Sequence, residues 1–142
     1  KFALVSIGQI KSPFSRVAAY QRLKEIGYIL PAIISPRAYV SRHANVGEGT
    51  VIMHGAVVNA NAVIGKNCIL NSRALIEHDA VVGDHCHIST GAIVNGGAKI
   101  GKKSFIGSGA VIKQAINIEE KSVIGAGLFV KSNVESKRLI KK

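Results

Sequence analysis

A histidine followed directly by an aspartate, His78-Asp79, is the pair in this sequence best suited to acid–base chemistry. A neutral imidazole accepts a proton from an attacking amine or hydroxyl, and a carboxylate on its other nitrogen fixes the tautomer and stabilises the imidazolium. Such pairs are common, so the pair by itself is weak support for a catalytic site. The repeat that surrounds it carries more information.

A six-residue repeat runs through most of the chain. Stepping by six from Val40 to Val130, every position is Val, Ile or Leu. Four residues after most of these lies a small residue, such as Ala44, Ala62 or Cys68. Because strand side chains alternate, the small residue and the next aliphatic point to the same side, which we expect to be the interior. The repeat predicts a β-helix in which each hexad is a short strand followed by a corner.

The corners carry their own signal. The residue after the aliphatic is often Gly or Asn, and we expect it to take the positive φ that a tight corner requires. The pattern resembles the hexapeptide-repeat acyltransferases, in which three hexads make one triangular coil. The resemblance implies a left-handed parallel β-helix, and the length of the repeat predicts about five coils.

We expect three parts in the chain. Residues 1–38 form a partial N-terminal α/β segment, residues 39–134 form the β-helix, and residues 135–142 form a basic tail. In the first part, Phe2 to Ile7 predicts a strand, and Ser15 to Gly27 predicts a helix that is capped by Ser and stopped by Gly. The chain opens with lysine rather than methionine, which suggests that an upstream segment is missing.

Stacking at 18-residue intervals sorts the outward residues into three faces. Apolar stripes this long mark interfaces, and two apolar faces suit a closed ring in which unlike faces meet. We therefore predict a homotrimer with its active site between subunits. One face is wholly apolar (Tyr39, Val57, Leu75, Ile93, Val111, Phe129), a second is apolar around one histidine (Val51, Ile69, His87, Phe105, Val123), and the third is more polar (Asn45, Val63, Val81, Lys99, Asn117).

The stacking rule also brings Gly96 next to His78, one coil away. A bare backbone amide there can donate to a developing oxyanion, although Gly96 and Gly97 fit an ordinary corner equally well. His87 points outward on the second apolar face. It meets His78 only across a ring contact, and the alternative is a buried interface histidine with a structural hydrogen bond.

The remaining histidines, His43, His54 and His85, are expected to be solvent-exposed corner residues. A γ-type carbonic anhydrase shares this triangular β-helix, or prism, but needs three histidines that converge on zinc. His78, His85 and His87 are expected on different faces, so we expect no metal. A non-catalytic, oligomerising solenoid is the other alternative.

Several short motifs together resemble the sialic acid O-acetyltransferase and UDP-amino-sugar N-acetyltransferase group, the NeuD/PglD-like proteins. They are Asn71, Glu77-His78-Asp79, Gly83-Asp84, His87-Ile88 and Gly96-Gly97. The resemblance covers nearly the whole chain. Two family features do not occur in this sequence: the N-terminal glycine-rich turn that contacts the nucleotide-sugar, and the C-terminal Gly-x-Pro-Ala-Lys run.

This resemblance implies acetyl transfer from acetyl-CoA directly to a sugar. His78 would act as general base, Asp79 would orient it, the Gly96 amide would hold the thioester carbonyl, and His87 would line the shared site. The acceptor would lie near Asn71 and His78, and O- and N-acetylation both remain open. Coenzyme A would lie in a groove between subunits, near Gly107, Ser108, Gly125 and Ala126.

Composition limits the partners. The formal charge is +11, but aromatics are only 5% and no nucleic-acid-reading element appears, so a phosphate-rich ligand such as coenzyme A is favoured over nucleic acid. Cys68 and Cys86 are too few for a disulfide framework. No apolar run is long enough to span a bilayer, and the start lacks a signal-peptide pattern. We expect a cytoplasmic protein without membrane insertion.

Overall fold

The computed structural model describes residues 1–10 and 12–141. One helix, α1 (Phe14–Ile26), precedes eighteen two-residue strands that stack into three parallel sheets. Sheet I contains β1 (Ile33–Ile34), β4 (Val51–Ile52), β7 (Ile69–Leu70), β10 (His87–Ile88), β13 (Phe105–Ile106), β16 (Val123–Ile124) and β18 (Leu139–Ile140). Sheet II contains β2 (Tyr39–Val40), β5 (Val57–Val58), β8 (Leu75–Ile76), β11 (Ile93–Val94), β14 (Val111–Ile112) and β17 (Phe129–Val130). Sheet III contains β3 (Asn45–Val46), β6 (Val63–Ile64), β9 (Val81–Val82), β12 (Lys99–Ile100) and β15 (Asn117–Ile118).

Each strand pairs in parallel with the strand one coil away. His87 lies between Ile69 and Phe105, so residues 18 apart stack as expected. The left-handed parallel β-helix predicted from the repeat is confirmed. It has about six coils rather than about five, because β1 and β18 extend sheet I at both ends.

The interior contains the two residue classes that the repeat singled out. The aliphatics from Ile52 to Ile124 and the small residues between them are almost wholly buried. Where the small residue is polar, its hydroxyl is satisfied: Thr50 Oγ1 donates to Gly65 O at 2.8 Å and accepts from Cys68 N at 2.9 Å. The thiols of Cys68 and Cys86 are free and buried, and burial raises the pKa of Cys68 to about 12.

The corners differ from the prediction. The residue with positive φ is the third after the aliphatic, at every corner from Gly49 to Gly127, and not the first. The glycine directly after the aliphatic has another reason. A Cβ on Gly47 would lie 2.6 Å from the backbone of Gly65, and one on Gly83 would lie 2.8 Å from Lys102 N. At these positions glycine lets successive coils approach closely.

The N-terminal segment differs as well. The strand expected over Phe2–Ile7 is wrong, because only an isolated bridge joins Phe2 to Ile29. The helix begins at Phe14, and Pro13 occupies its N-cap position without a side-chain hydrogen bond, so Ser15 is not the cap. The predicted stop is confirmed: Gly27 ends the helix in the left-handed conformation, with φ 92°.

Residues 4–10, which we call the N-terminal arm, run along the outer surface of sheet I. Together with Val51 and Ile69, the arm lines an apolar cavity of about 260 Å³. His87 and Phe105 are buried, with only 7% and 9% of their surface exposed. The arm therefore covers the centre of the second apolar face, which corrects the expectation that this whole face awaits a neighbouring subunit. No helix within the described residues is long and apolar enough to cross a membrane.

Candidate active site

Three corners connect the sheets, and two of them carry the predicted site residues. Corner II/III follows sheet II and contains the triplets 41–43, 59–61, 77–79, 95–97, 113–115 and 131–133, stacked in this order. Corner I/II follows sheet I and contains the triplets 71–73, 89–91, 107–109 and 125–127. His78, Asp79 and Gly96 thus share one edge of the prism, and Asn71 shares another edge with the residues predicted to bind coenzyme A.

The His78 imidazole and the Asp79 carboxylate form a hydrogen-bonded pair. His78 Nδ1 lies 2.8 Å from Asp79 Oδ2. Adjacent residues reach each other in this way because Asp79 takes the left-handed conformation at the corner, with φ 59°. The other carboxylate oxygen, Oδ1, accepts from Asn61 Nδ2 at 3.3 Å, one coil before. Nδ1 is therefore the protonated nitrogen, and Nε2 is left to accept a proton.

The pKa values of the pair shift in opposite directions. The hydrogen bond to Asp79 raises the pKa of His78 above its ordinary value, and the charges of Asp79 and Glu77 add to this shift. The hydrogen bond from His78 lowers the pKa of Asp79, with a further contribution from Asn61. Asp79 therefore stays ionised while His78 changes its protonation. This is the arrangement that a general base needs.

Gly96 lies directly against the free edge of the imidazole. A Cβ at residue 96 would fall 2.8 Å from His78 Cε1 and 2.9 Å from Nε2, so only glycine leaves the ring in place. Within residues 1–10 and 12–141, no acceptor takes the Gly96 N–H, whereas Gly97 N donates to His78 O at 3.0 Å. One unused amide donor thus lies beside the nitrogen that would accept a proton.

An open depression of about 410 Å³ surrounds this pair. Its walls come from three successive coils of corner II/III: Glu77, His78, Asn95, Gly96, Gln114 and Ala115. The Glu77 carboxylate is held by Asn59 Nδ2 at 2.8 Å, and the Asn95 amide donates to Ile112 O at 2.7 Å. The depression therefore offers carboxylate and amide oxygens that accept hydrogen bonds from hydroxyl or amino groups.

The corner I/II residues form a smooth column. A Cβ on Gly107 would lie 2.6 Å from Ala126 N, so this glycine permits close stacking of the coils. Ser108 is exposed, and its Oγ lies 2.9 Å from Ser89 Oγ. Gly125 is half-buried and Ala126 is exposed. Because the column presents few large side chains, a long thin ligand can lie along it.

His87 and Asn71 contact each other at the start of this column. Asn71 Nδ2 lies 3.3 Å from His87 Nε2, and the other ring nitrogen, Nδ1, bonds to Gln9 O. Both ring nitrogens of His87 are therefore engaged inside the chain. The structure places His87 on sheet I, beneath the N-terminal arm and away from His78.

Sheet II separates the two groups of predicted residues within one chain. The His78 corner lies on one side of this sheet, and Asn71 and the predicted coenzyme A residues lie on the other. Its outer face keeps the apolar stripe uncovered, with Tyr39 and Phe129 58% and 56% exposed. One chain thus does not bring all the predicted residues together.

The other histidines are scattered. His43 and His54 are exposed corner residues, as expected, but His85 is half-buried with its ring edge against Tyr20, 5.5 Å between centroids. His78, His85 and His87 lie on two different corners and a sheet. Across the described part of the chain, no three side chains form a metal-binding group.

Two residues that contact the predicted site residues were not predicted from the sequence. Asn61, which holds Asp79, lies 18 residues before it, so the stacking rule was sufficient to find it. Gln9 contacts His87 across 78 residues of sequence, and no periodic signal connects the two.

Family models match the repeat region. The bacterial transferase hexapeptide model, of six repeats, matches residues 43–78, 61–96 and 79–114. A model for the hexapeptide repeat of succinyl-transferase matches residues 97–132. No curated protein matches the sequence.

Several solved structures resemble the chain over nearly its whole length. PerB from Caulobacter crescentus, in complex with CoA and GDP-perosamine, is 30% identical over 92% of this chain and 63% of its own, with a TM-score of 0.89. The acetyltransferase domain of PglB from Neisseria gonorrhoeae, in complex with acetyl coenzyme A, is 32% identical with the same coverage and TM-score. WeeI from Acinetobacter baumannii is 25% identical over 95% of this chain and 70% of its own, with a TM-score of 0.85. The chain thus spans less than two thirds of the Caulobacter and Neisseria chains.

Proposed function

Since the chain belongs to the bacterial transferase hexapeptide family, we propose that it transfers an acetyl group from acetyl-CoA to a sugar, with His78 as general base. The observation that carries the proposal is the geometry around His78. Its Nδ1 is held by an ionised Asp79, and its Nε2 lies against Gly96, whose N–H has no acceptor among the described residues, in an open depression. These are the base and the oxyanion donor that acyl transfer needs.

The residues fit a bound thioester. Acetyl-CoA, when bound, supplies an activated carbonyl carbon that an amine or hydroxyl can attack. In the proposed reaction the Gly96 N–H donates to the carbonyl oxygen as negative charge develops on it. Neither thiol can take the acetyl group, because Cys68 and Cys86 are buried in the core. We therefore assign direct transfer, without an acyl-enzyme.

The proton follows a short path. His78 Nε2 takes a proton from the acceptor as the new bond to the carbonyl carbon forms. Asp79 stabilises the resulting imidazolium through Nδ1. The imidazolium then returns the proton to the leaving sulfur as the carbon–sulfur bond breaks, so His78 is neutral again for the next cycle.

We favour an amino sugar linked to a nucleotide as the acceptor. The depression presents the Glu77 carboxylate beside His78, which suits an amino group and its neighbouring hydroxyls and repels an acceptor that carries its own carboxylate, such as a sialic acid. The Caulobacter protein, which binds GDP-perosamine, supports the same acceptor class. O-acetylation of a sialic acid is the alternative.

The proposed assembly is a homotrimer with its sites between subunits. The uncovered apolar stripe of sheet II supplies the contact surface. When a neighbour packs there, its corner I/II meets the His78 corner, which brings His78 together with the partner subunit's column for coenzyme A. In this arrangement Gly107, Ser108, Gly125 and Ala126 bind coenzyme A, and Asn71 contacts the acceptor. The buried free thiols suit a reducing compartment, so we place the protein in the cytoplasm.

Release of free thiol from acetyl-CoA tests the proposal, measured with a panel of nucleotide-linked amino sugars and with sialic acid. We expect turnover with an amino sugar, and a loss of about 100-fold or more in His78→Ala, since general base catalysis contributes at least this factor. The matched control is His43→Ala, an exposed histidine on the same corner. Equal turnover by His78→Ala and the control would overturn the mechanism.

A further inference from the structure

Arg16 fastens the N-terminal arm to the prism. Arg16 is 1% exposed, and its guanidinium donates to the arm carbonyls of Val5 at 2.8 Å and Ile7 at 2.9 Å. On the other side, its Nε donates to Asn67 O at 3.2 Å. No carboxylate pairs with this cation within residues 1–10 and 12–141, so backbone carbonyls alone replace its hydration. Such a buried clamp fixes the arm in one position.

The arm ends on Gln9, which contacts the prism twice. Gln9 is 4% exposed, and its Nε2 donates to His85 O at 3.0 Å. Its backbone carbonyl faces His87 Nδ1 in a short hydrogen bond. A carbonyl oxygen only accepts, so His87 must carry its proton on Nδ1.

The contact of the other ring nitrogen, His87 Nε2, independently indicates the same protonation state. Asn71 Oδ1 accepts from Ser72 N at 2.8 Å, which fixes the orientation of the amide and turns Nδ2 toward His87. An amide nitrogen only donates, so His87 Nε2 must offer a lone pair. Both contacts select one neutral tautomer, with the proton on Nδ1.

We propose that the N-terminal arm is a positioning element of the acetyl-transfer site: Gln9 O locks His87 in its Nδ1–H tautomer, and His87 in turn orients the Asn71 amide on corner I/II. Gln9, Arg16 and His87 are positioning residues here. Asn71 alone faces the ligand, with its second amide hydrogen. The role of Asn71 rests on the proposed function, whereas the tautomer of His87 does not.

Burial supports the lock. Desolvation lowers the pKa of His87, and the ring packs edge-on against Phe105 at 5.2 Å, so the neutral form is favoured. Gln9 Oε1 is buried without a partner among the described residues, which is unfavourable for stability. Stability alone would not favour an amide at this position, whereas the hydrogen bonds of Gln9 with His85 and His87 explain its placement.

The ring-nitrogen NMR shifts of His87 in the full chain test the lock directly, because protonated and unprotonated ring nitrogens resonate far apart. A His87→Gln sample identifies the signals of this histidine among the five. We expect a protonated Nδ1 and an unprotonated Nε2 in the wild-type protein. A protonated Nε2, or a mixture of tautomers, would overturn the proposal without any bearing on acetyl transfer.

Arg16→Met tests the arm, and Arg22→Met is the matched control. Both change an arginine of α1, but Arg22 is exposed and pairs only with Glu25 at 3.6 Å. We expect mixed tautomers of His87 in Arg16→Met and the wild-type spectrum in the control. A wild-type spectrum in folded Arg16→Met would contradict the role of the arm. If that variant does not fold, Gln9→Ala, which removes only the anchor to His85 O, must show the same mixing.

Kinetics separate positioning from general stability. Loss of one oriented hydrogen bond predicts a rise of about fivefold to tenfold in the acceptor KM of Arg16→Met, with the acetyl-CoA KM unchanged. Equal changes in both KM values would indicate a merely structural arm. Absence of turnover in the wild-type protein would refute the proposed function and leave the tautomer result intact.

Discussion

The His78 imidazole rests on Gly96 of the next coil, so closely that a Cβ at residue 96 would lie 2.9 Å from Nε2. The same glycine leaves its N–H without an acceptor in the described chain. In the proposed mechanism this one residue provides both the space for the base and the donor for the oxyanion.

Gly96→Ala should remove activity with little effect on folding. Residue 96 does not have a positive φ, so alanine fits the backbone, but its methyl group must push His78 aside. A displacement of about 1 Å at a catalytic group costs about 100-fold, which thiol release from acetyl-CoA will measure. Ser132→Ala, at the equivalent corner position two coils further on, is the control and should keep full activity. A fully active Gly96→Ala would contradict the placement of His78.

Asp79→Asn should shift the pH dependence of kcat to lower pH. The Asp79 carboxylate raises the pKa of His78, and the base works only when neutral, so activity in the wild-type protein rises as the pH passes through this raised pKa. Asparagine tolerates the φ of 59° but carries no charge, so the pKa of His78 falls and the rising limb moves with it. We also expect a lower maximal rate, because the imidazolium loses its stabilising charge. Glu25→Gln removes one exposed carboxylate elsewhere and should leave the limb in place. A limb that does not move in Asp79→Asn would exclude His78 as the titrating base.

Gly101→Ala should destabilise the prism, and Lys103→Gly should not. A Cβ on Gly101 would collide with the backbone of Glu119 and Glu120, and overpacking of this kind costs about 1–3 kcal/mol. Lys103 holds the positive-φ position of the same corner, with φ 63°, where glycine is unstrained. Urea denaturation of both variants separates close approach from backbone conformation. Equal stability of the two would show that the first corner glycine has no packing role.

Mixed trimers should restore activity that two separate variants lack. His78→Ala removes the base on corner II/III, and Ser108→Trp blocks the column on corner I/II. If each site combines these corners from two subunits, random mixing of the two variants leaves roughly a quarter of the interfaces with two intact corners. Thiol release after joint unfolding and refolding measures the recovery. A mixture as inactive as its components would place the whole site within one chain.

The fold was predictable because its signal is repeated. The same interior positions recur in each coil, so the aliphatic at every sixth residue indicates where the strands lie. With three hexads to a coil, the same spacing places His78 next to Gly96, 18 residues later. The corner conformation was less predictable. Gly83 is the first residue of its corner and Asp79 is the third of another. Glycine at the first position avoids a backbone collision, whereas the third position has the positive φ. A sequence position alone does not separate these two reasons.

The position of the N-terminal arm could not be predicted from the six-residue repeat, because the arm lies outside it. Gln9 and Arg16 contact residues 78 and 51 positions away, and neither contact repeats. The sequence indicated an uncovered apolar face around His87, whereas the structure places the chain's own arm over its centre.

The sequence by itself determined the prism, the edge that carries His78, Asp79 and Gly96, and the opposite edge that carries Asn71, because hexad spacing converts directly into position. Tertiary structure alone decided how the pieces outside the repeat meet the prism. Single long-range contacts decide three features: the position of the arm over sheet I, the hydrogen bonds of Arg16 and the tautomer of His87. The geometry of these contacts is set by packing and by the need to satisfy buried hydrogen-bonding groups.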